Sequence, residues 1–274
     1  MQRRHLSCFF LIICILLIVS TAAAQVDAIL ETQQGKQALG QGKYDEAIQH
    51  LERVLQANPK NLNAELYLAT AYARKYVPGV NKEDNIALAD QAIQHYQTVM
   101  ERDTFSTMSH NAAMGIALLY AQMNKFDEAK DYYSRAKQLD PKDPQPFYFT
   151  ALVDWTLANQ VRTQARTKLG LKPPEFLADK DHKVCIEVRG KNLSGLEEGT
   201  ENLTQALKLN PLYEEATNYM NLMYLERADI ECDDPTARKA DLKSAADWAL
   251  KLQTVRAKKA YNAAHPPKDD DDDQ

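Results

Sequence analysis

The segment KYDEAIQHLERVLQANP, Lys43 to Pro59, returns in outline as KFDEAKDYYSRAKQLDP, Lys125 to Pro141, and in part as AIQHYQTVM from Ala92. A chain that repeats one pattern of small, aromatic and turn residues stacks copies of one structural unit, because a single copy cannot bury its apolar stripe alone. The copies end alike: Asn58-Pro59, Asp140-Pro141 and Asn210-Pro211 each place a turn former before a residue that stops a helix. With only 9 Gly among 274 residues and Ala, Leu, Gln, Lys and Glu abundant, the repeated element is helical.

The pattern resembles the tetratricopeptide repeat, a helix-turn-helix unit of about 34 residues. Numbering each unit from 1, a first copy over residues 28–61 places Gly35 at position 8, Ala47 at 20, Leu51 at 24 and Pro59 at 32, with Glu31 and Gln34 where apolar residues are expected. A second copy, 62–109, has Ala69 and Tyr72 on helix A and Ala92 and Tyr96 on a helix B delayed by an insertion containing YVPGVNKEDN. The third, 110–143, carries Ala117, Tyr120, Ala129 and Tyr133 without insertion. The fourth, 144–213, starts with Phe147 and Ala151 and recovers helix B at Gly199, Leu203 and Ala206, so 36 residues are added between its helices. A fifth, 214–258, breaks at DIECDDPT and resumes from Asp234-Pro235, a helix start. Small residues at positions 8 and 20 allow helices A and B to approach closely, and the aromatic at 11 or 24 fills the gap to the next unit. The resemblance implies an all-α solenoid of about five such units. The chain also resembles a group of exported bacterial tetratricopeptide proteins, through PG in the second-unit loop and DWTLANQVRTQARTKLGLKPPE; that likeness implies no activity.

The additions near Val77–Asn85, Val161–Ser194 and Asp229–Asp234 all fall between helix A and helix B, which in a stacked solenoid puts them on one rim. Cys185 and Cys232 lie in two of them, and an exported chain meets an oxidising compartment, so a disulfide between them is expected. Two unpaired thiols are the alternative, since spacing alone does not bring sulfurs to bonding distance.

Residues 1–24 read as a secretory signal: Arg3 and Arg4, then an apolar run, then Ala22-Ala23-Ala24 before Gln25. An uncleaved segment would instead anchor the chain to a membrane. Removing two arginines leaves 31 basic against 38 acidic residues, and five of those acids are Asp269–Asp273 in a tail, 265–274, expected to be disordered. The remaining body is nearly neutral and has no basic field for nucleic acid. The chain has no H-E-x-x-H, G-x-S-x-G, C-x-x-C or phosphate-cradling Gly-rich loop, so no cofactor, metal or catalytic residue is expected. Asp179, His182 and Cys185 in the 160–200 insertion are the one metal- or ligand-binding alternative, although a structural zinc usually takes four ligands. His50 and His95 share position 23, where corresponding residues of adjacent units stand roughly 8–10 Å or more apart, so they read as surface helix positions. Asn192 and Asn202 begin glycosylation sequons.

In tetratricopeptide proteins helix A positions 2, 5, 9, 12 and 13 line a concave groove. The resemblance carries that role to Leu66, Thr70 and Arg74, to Met114, Leu118 and Gln122, to Tyr148, Leu152 and Trp155, and to Leu222. The carboxylate clamp used by some members is missing at these positions. The stripe would accept an apolar or helical peptide, making the chain a protein-interaction scaffold at the envelope; a membrane-tethered assembly factor is the alternative. Equally, the long insertion or the last helix could fold over the stripe and turn it into core.

Overall fold

The computed structural model describes residues 28–266; the signal segment and the Asp269–Asp273 run lie outside them. The described residues form eleven helices and no strand: α1 (28–40), α2 (Tyr44–Ala57), α3 (Leu62–Lys75), α4 (Glu83–Arg102), α5 (Thr107–Gln122), α6 (Phe126–Leu139), α7 (Gln145–Leu169), the four-residue α8 (Leu177–Lys180), α9 (His182–Leu209), α10 (Glu214–Asp229) and α11 (Pro235–Ala264). This is an all-α, tetratricopeptide-type repeat structure. The chain divides between Leu139 and Asp140 into two compact bodies.

In the N-terminal body consecutive helices from α2 to α6 pack antiparallel-neighbour fashion, and small residues set the spacing. Ala47, Ala69, Ala92, Ala117 and Ala129 are fully buried. A Cβ on Gly35 would stand 2.8 Å from Leu51 Cγ, and one on Gly115 only 2.4 Å from the Tyr96 ring, so these glycines are required by close approach. The turns repeat as well. Gly42 (φ 75°) and Asn124 (φ 58°) occupy position 15 of the first and third repeats, each in the left-handed region that Gly and Asn tolerate best. Asn58, Asp140 and Asn210 each accept a hydrogen bond from the backbone N–H two residues on, at 3.0 to 3.1 Å, so the three Pro-containing junctions are the same turn.

The C-terminal body joins α7 to α9 and α10 to α11, with α10 also against α9 and α7. Here the expectation of a long connection in the fourth repeat is corrected. Of the presumed insertion, most is helix: α7 continues to Leu169, where Gly170 (φ 65°) closes it, and α9 begins at His182, seventeen residues before Gly199. The connection proper is 170–181 and contains α8. The helices can lengthen because α7 carries Arg162 and Arg166 to acidic partners on α10. Asp181 caps α9 by accepting from Val184 N–H at 3.1 Å, and Asp234 caps α11 by accepting from Thr236 and Ala237 N–H, both at 2.9 Å, with Pro235 in the first turn.

Candidate interaction surfaces

Helix A residues of the N-terminal body form one candidate surface. Thr70 donates to the Leu66 carbonyl at 2.7 Å and accepts from the Tyr96 hydroxyl at 3.1 Å, which fixes its rotamer and leaves Leu66 half-buried. Arg74 is exposed, Met114 and Gln122 are half-buried, and Leu118 is 44% exposed. Thr70 and Arg74 line one cleft of about 580 Å³ together with Lys36, Tyr44 and Tyr67. A second cleft of about 490 Å³ shares Lys36 and Tyr67 and adds Gln33, Asn58 and Asn63. Lys36 was legible: it holds position 9 of the first repeat, the position that Thr70 and Leu118 hold in the next two.

The predicted residues of the C-terminal body fare differently. Tyr148 is corrected from a groove residue to a core residue, 8% exposed. It lies among Phe149, Tyr213 and Tyr219, with ring centroids 5.1, 5.0 and 5.7 Å away, because the α7 stripe turns inward where three aromatic side chains converge on it. Burial pushes its hydroxyl up to about 12, with the neighbouring Tyr219 adding to the effect. Leu152 is half-buried beside the same cluster. Trp155 stands edge-on to Tyr219, 5.3 Å between centroids, and with Leu222 it lines a cleft of about 390 Å³. That cleft is walled by Pro173, Pro174 and Phe176 of the connection, so this segment partly covers the stripe. Its floor is ionic: Arg162 meets Glu226 at 2.6 Å and Asp229 at 3.2 Å, and Arg166 meets Asp229 at 2.8 Å. Burial raises the Glu226 carboxyl above the usual carboxylate range, and Arg162 and Asn159 only partly counter it.

Cys185 and Cys232 are joined by a disulfide, which ties the start of α9 to the segment between α10 and α11. The Asp179, His182 and Cys185 constellation is therefore corrected. The Cys185 sulfur is bonded and fully buried, Asp179 pairs with Arg238 at 3.0 Å, and exposed His182 faces Asp233 at 3.3 Å. Among the described residues no group of three or more His, Cys, Asp or Glu is placed to hold a metal ion. His50 and His95 are not simple surface positions. Each meets the glutamate at position 4 of its own repeat, His50 with Glu31 at 2.7 Å and His95 with Glu65 at 2.6 Å. This accounts for Glu31, a misfit in the apolar pattern. The Asn192 side chain is buried and donates to the Ala158 carbonyl at 2.8 Å, so the folded chain does not offer it for glycosylation. No described helix is long and apolar enough to cross a membrane.

Residues 38–75 and 111–143 match models of the tetratricopeptide repeat. Those matches fall on α1–α3 and α5–α6, where the small-residue and turn phases are least interrupted. Among solved structures the fold is similar to "Crystal structure of MamA", at 18% identity over 83% of this chain and 96% of that one, TM-score 0.53. It is also similar to "MamA 41-end from Desulfovibrio magneticus RS-1", at 16% identity over 85% and 96%, TM-score 0.53. "MamA RS-1 ArsTM double mutant" aligns at 15% identity over 85% and 96%, TM-score 0.54. No curated protein matches the chain by sequence.

Proposed function

We propose that this chain is a non-enzymatic interaction scaffold that binds protein partners on the helix A faces of its repeats. Tetratricopeptide repeats generally mediate protein-protein contacts. The observation that carries the reading is that two helix A leucines stay accessible: Leu118 of α5 is 44% exposed, and Leu225 of α10, which lines the Trp155 cleft, is 41% exposed. Large apolar side chains in water are an unspent source of binding energy, about 1.5–3 kcal/mol each on full burial before ordering costs. Export to the cell envelope belongs to the same proposal. The apolar segment ending at Ala24 supports it, as does the Cys185–Cys232 disulfide, since such bonds persist in oxidising compartments.

Crosslinking in the native cell, followed by peptide identification, tests the scaffold role. Leu118→Ser with Leu225→Ser is the informative variant, because both side chains are exposed and their loss spares the core; partners captured by the wild type should disappear. Tyr148 is a poor probe, since its removal would unfold the aromatic cluster. Retention of every partner by the double variant would move binding off these faces. A mature N-terminus at Met1, read by mass spectrometry, would reject signal cleavage.

A further inference from the structure

We infer that the outer face of α9 is a self-association surface, on which a second copy of this chain docks antiparallel about a two-fold axis at Gly190. The inference does not rest on the groove reading, because α9 is a helix B. Its inner side is made by the buried residues Cys185, Val188, Asn192, Leu196 and Gly199, whose spacing turns them all to one side of the helix. The opposite side, at the same spacing, carries Lys183, Ile186, Gly190 and Glu197. Lys183, Gly190 and Glu197 are exposed, and Ile186 is 42% exposed although isoleucine is among the residues most often buried. The stripe lies in the part of α9 that precedes Gly199, the extension beyond the repeat length.

The order of residues along the stripe is what points to a second copy. Lys183 and Glu197 each stand seven positions from Gly190 with opposite charge, and neither is ion-paired among the described residues. Two antiparallel α9 helices crossing at Gly190 set each Lys183 against the other copy's Glu197, so one two-fold contact satisfies four charges. The flanks follow the same symmetry. Ile186 and the half-buried Leu193, seven positions apart and therefore on one edge of the stripe, meet the other copy's Leu193 and Ile186. On the other edge Glu187 meets the other copy's Lys191; both are exposed and without an ion pair among the described residues. A parallel pair would set lysine against lysine, so the charge order selects the antiparallel one. Gly190 allows the close approach: a Cβ there would meet nothing within 4 Å, so packing inside the chain gives no reason for a residue that weakens the helix. A face one helix wide and about 21 Å long buries less than the roughly 1,200 Å² of stable complexes, so the dimer is weak and forms at high local concentration.

Sedimentation velocity of the full chain tests this. All variants share one N-terminus, so differences between them report α9. The wild type should shift from monomer to dimer between about 10 and 300 µM chain, and lose about fivefold in dimer affinity between about 50 and 300 mM salt. Lys183→Glu or Glu197→Lys alone should weaken the dimer at least about tenfold, since each puts two like-charged pairs into the contact. Both reversals in one chain should restore it, and an equimolar mixture of the two single variants should sediment as a dimer although neither does alone. Circular dichroism should be unchanged throughout, because both side chains are exposed. A wild type that stays monomeric at the highest concentration, a dimer indifferent to the single reversals, or a doubly reversed chain that remains monomeric would each overturn the inference. In the first case, loss of a crosslinked cellular partner in Ile186→Lys would assign the face to a different protein.

Discussion

The buried carboxylate of Asp229 accepts a hydrogen bond from the backbone N–H of Leu177, 3.1 Å away and 52 residues earlier in the chain. The same carboxylate holds Arg162 and Arg166. Arg166 in turn donates to the Glu175 carbonyl at 2.8 Å, so α7, α10 and the 170–181 connection meet at one acid. The wall of the Trp155 cleft is thus positioned by charge as well as by apolar contact.

Asp229→Ala should cost about 3–5 kcal/mol of stability, the usual result of stripping one partner from a buried ionic network. Two arginines and a backbone N–H would lose their acceptor together. Urea unfolding followed by circular dichroism measures this, and a loss under 1 kcal/mol would show that the network reorganises around Glu226.

Removing the Cys185–Cys232 bridge, by Cys185→Ala with Cys232→Ala, should destabilise the chain by roughly 4 kcal/mol, since the cross-link closes a loop spanning 47 positions. Chemical denaturation of the double variant against the oxidised wild type gives the value. In native buffer the wild-type bond should resist mild reductants, because Cys185 is fully buried and Cys232 is 9% exposed.

Two glycines should respond oppositely to alanine. Gly115→Ala drives a Cβ against the Tyr96 ring and should cost about 1–3 kcal/mol, as overpacking does. Gly190→Ala, on the exposed side of α9 with nothing within 4 Å, should add about 0.5–1 kcal/mol through helix propensity. Melting temperatures of the two variants should therefore bracket the wild type.

Stability should also depend on pH through Glu226. Its folded pKa is raised above the ordinary 4.5, so between the two values the folded chain holds a proton that the unfolded chain has released. The contribution of this group therefore favours folding at the acidic end of that window and declines as pH rises through the folded pKa. In Glu226→Gln that decline should vanish, visible as a flatter plot of urea midpoint against pH from 4.5 upward. Glu31, whose carboxyl the hydrogen bond from His50 pulls below its ordinary value, acts in the reverse sense at lower pH.

The repeat phase was readable from residue types because the same contact recurs. Ala47, Ala92 and Ala129 at position 20 are all fully buried, and the Asn58, Asp140 and Asn210 turns share one hydrogen bond. What escaped was any feature made by residues without a periodic counterpart. Residues 182–194 read as insertion because α9 departs from the repeat length there, yet that stretch has no proline, and Gly190 weakens the helix without ending it. Tyr148 read as groove because phase reports which face of a helix a residue occupies, and the neighbours Tyr213 and Tyr219 that enclose it come from α10 and the turn before it.

By itself, then, the sequence determined the helical class, the phase of the small buried residues and where the Asn58, Asp140 and Asn210 turns fall, since these depend on contacts within one unit and its immediate copy. It also supplied the two cysteines, but not their distance. Only the tertiary structure decided that Asp229 would gather α7, α10 and the connection, that the His50–Glu31 and His95–Glu65 pairs would form, and that Tyr148 would be enclosed while Leu118 stayed open. Those outcomes depend on which side chains from distant positions arrive at the same place, and burial and charge pairing are properties of that arrival.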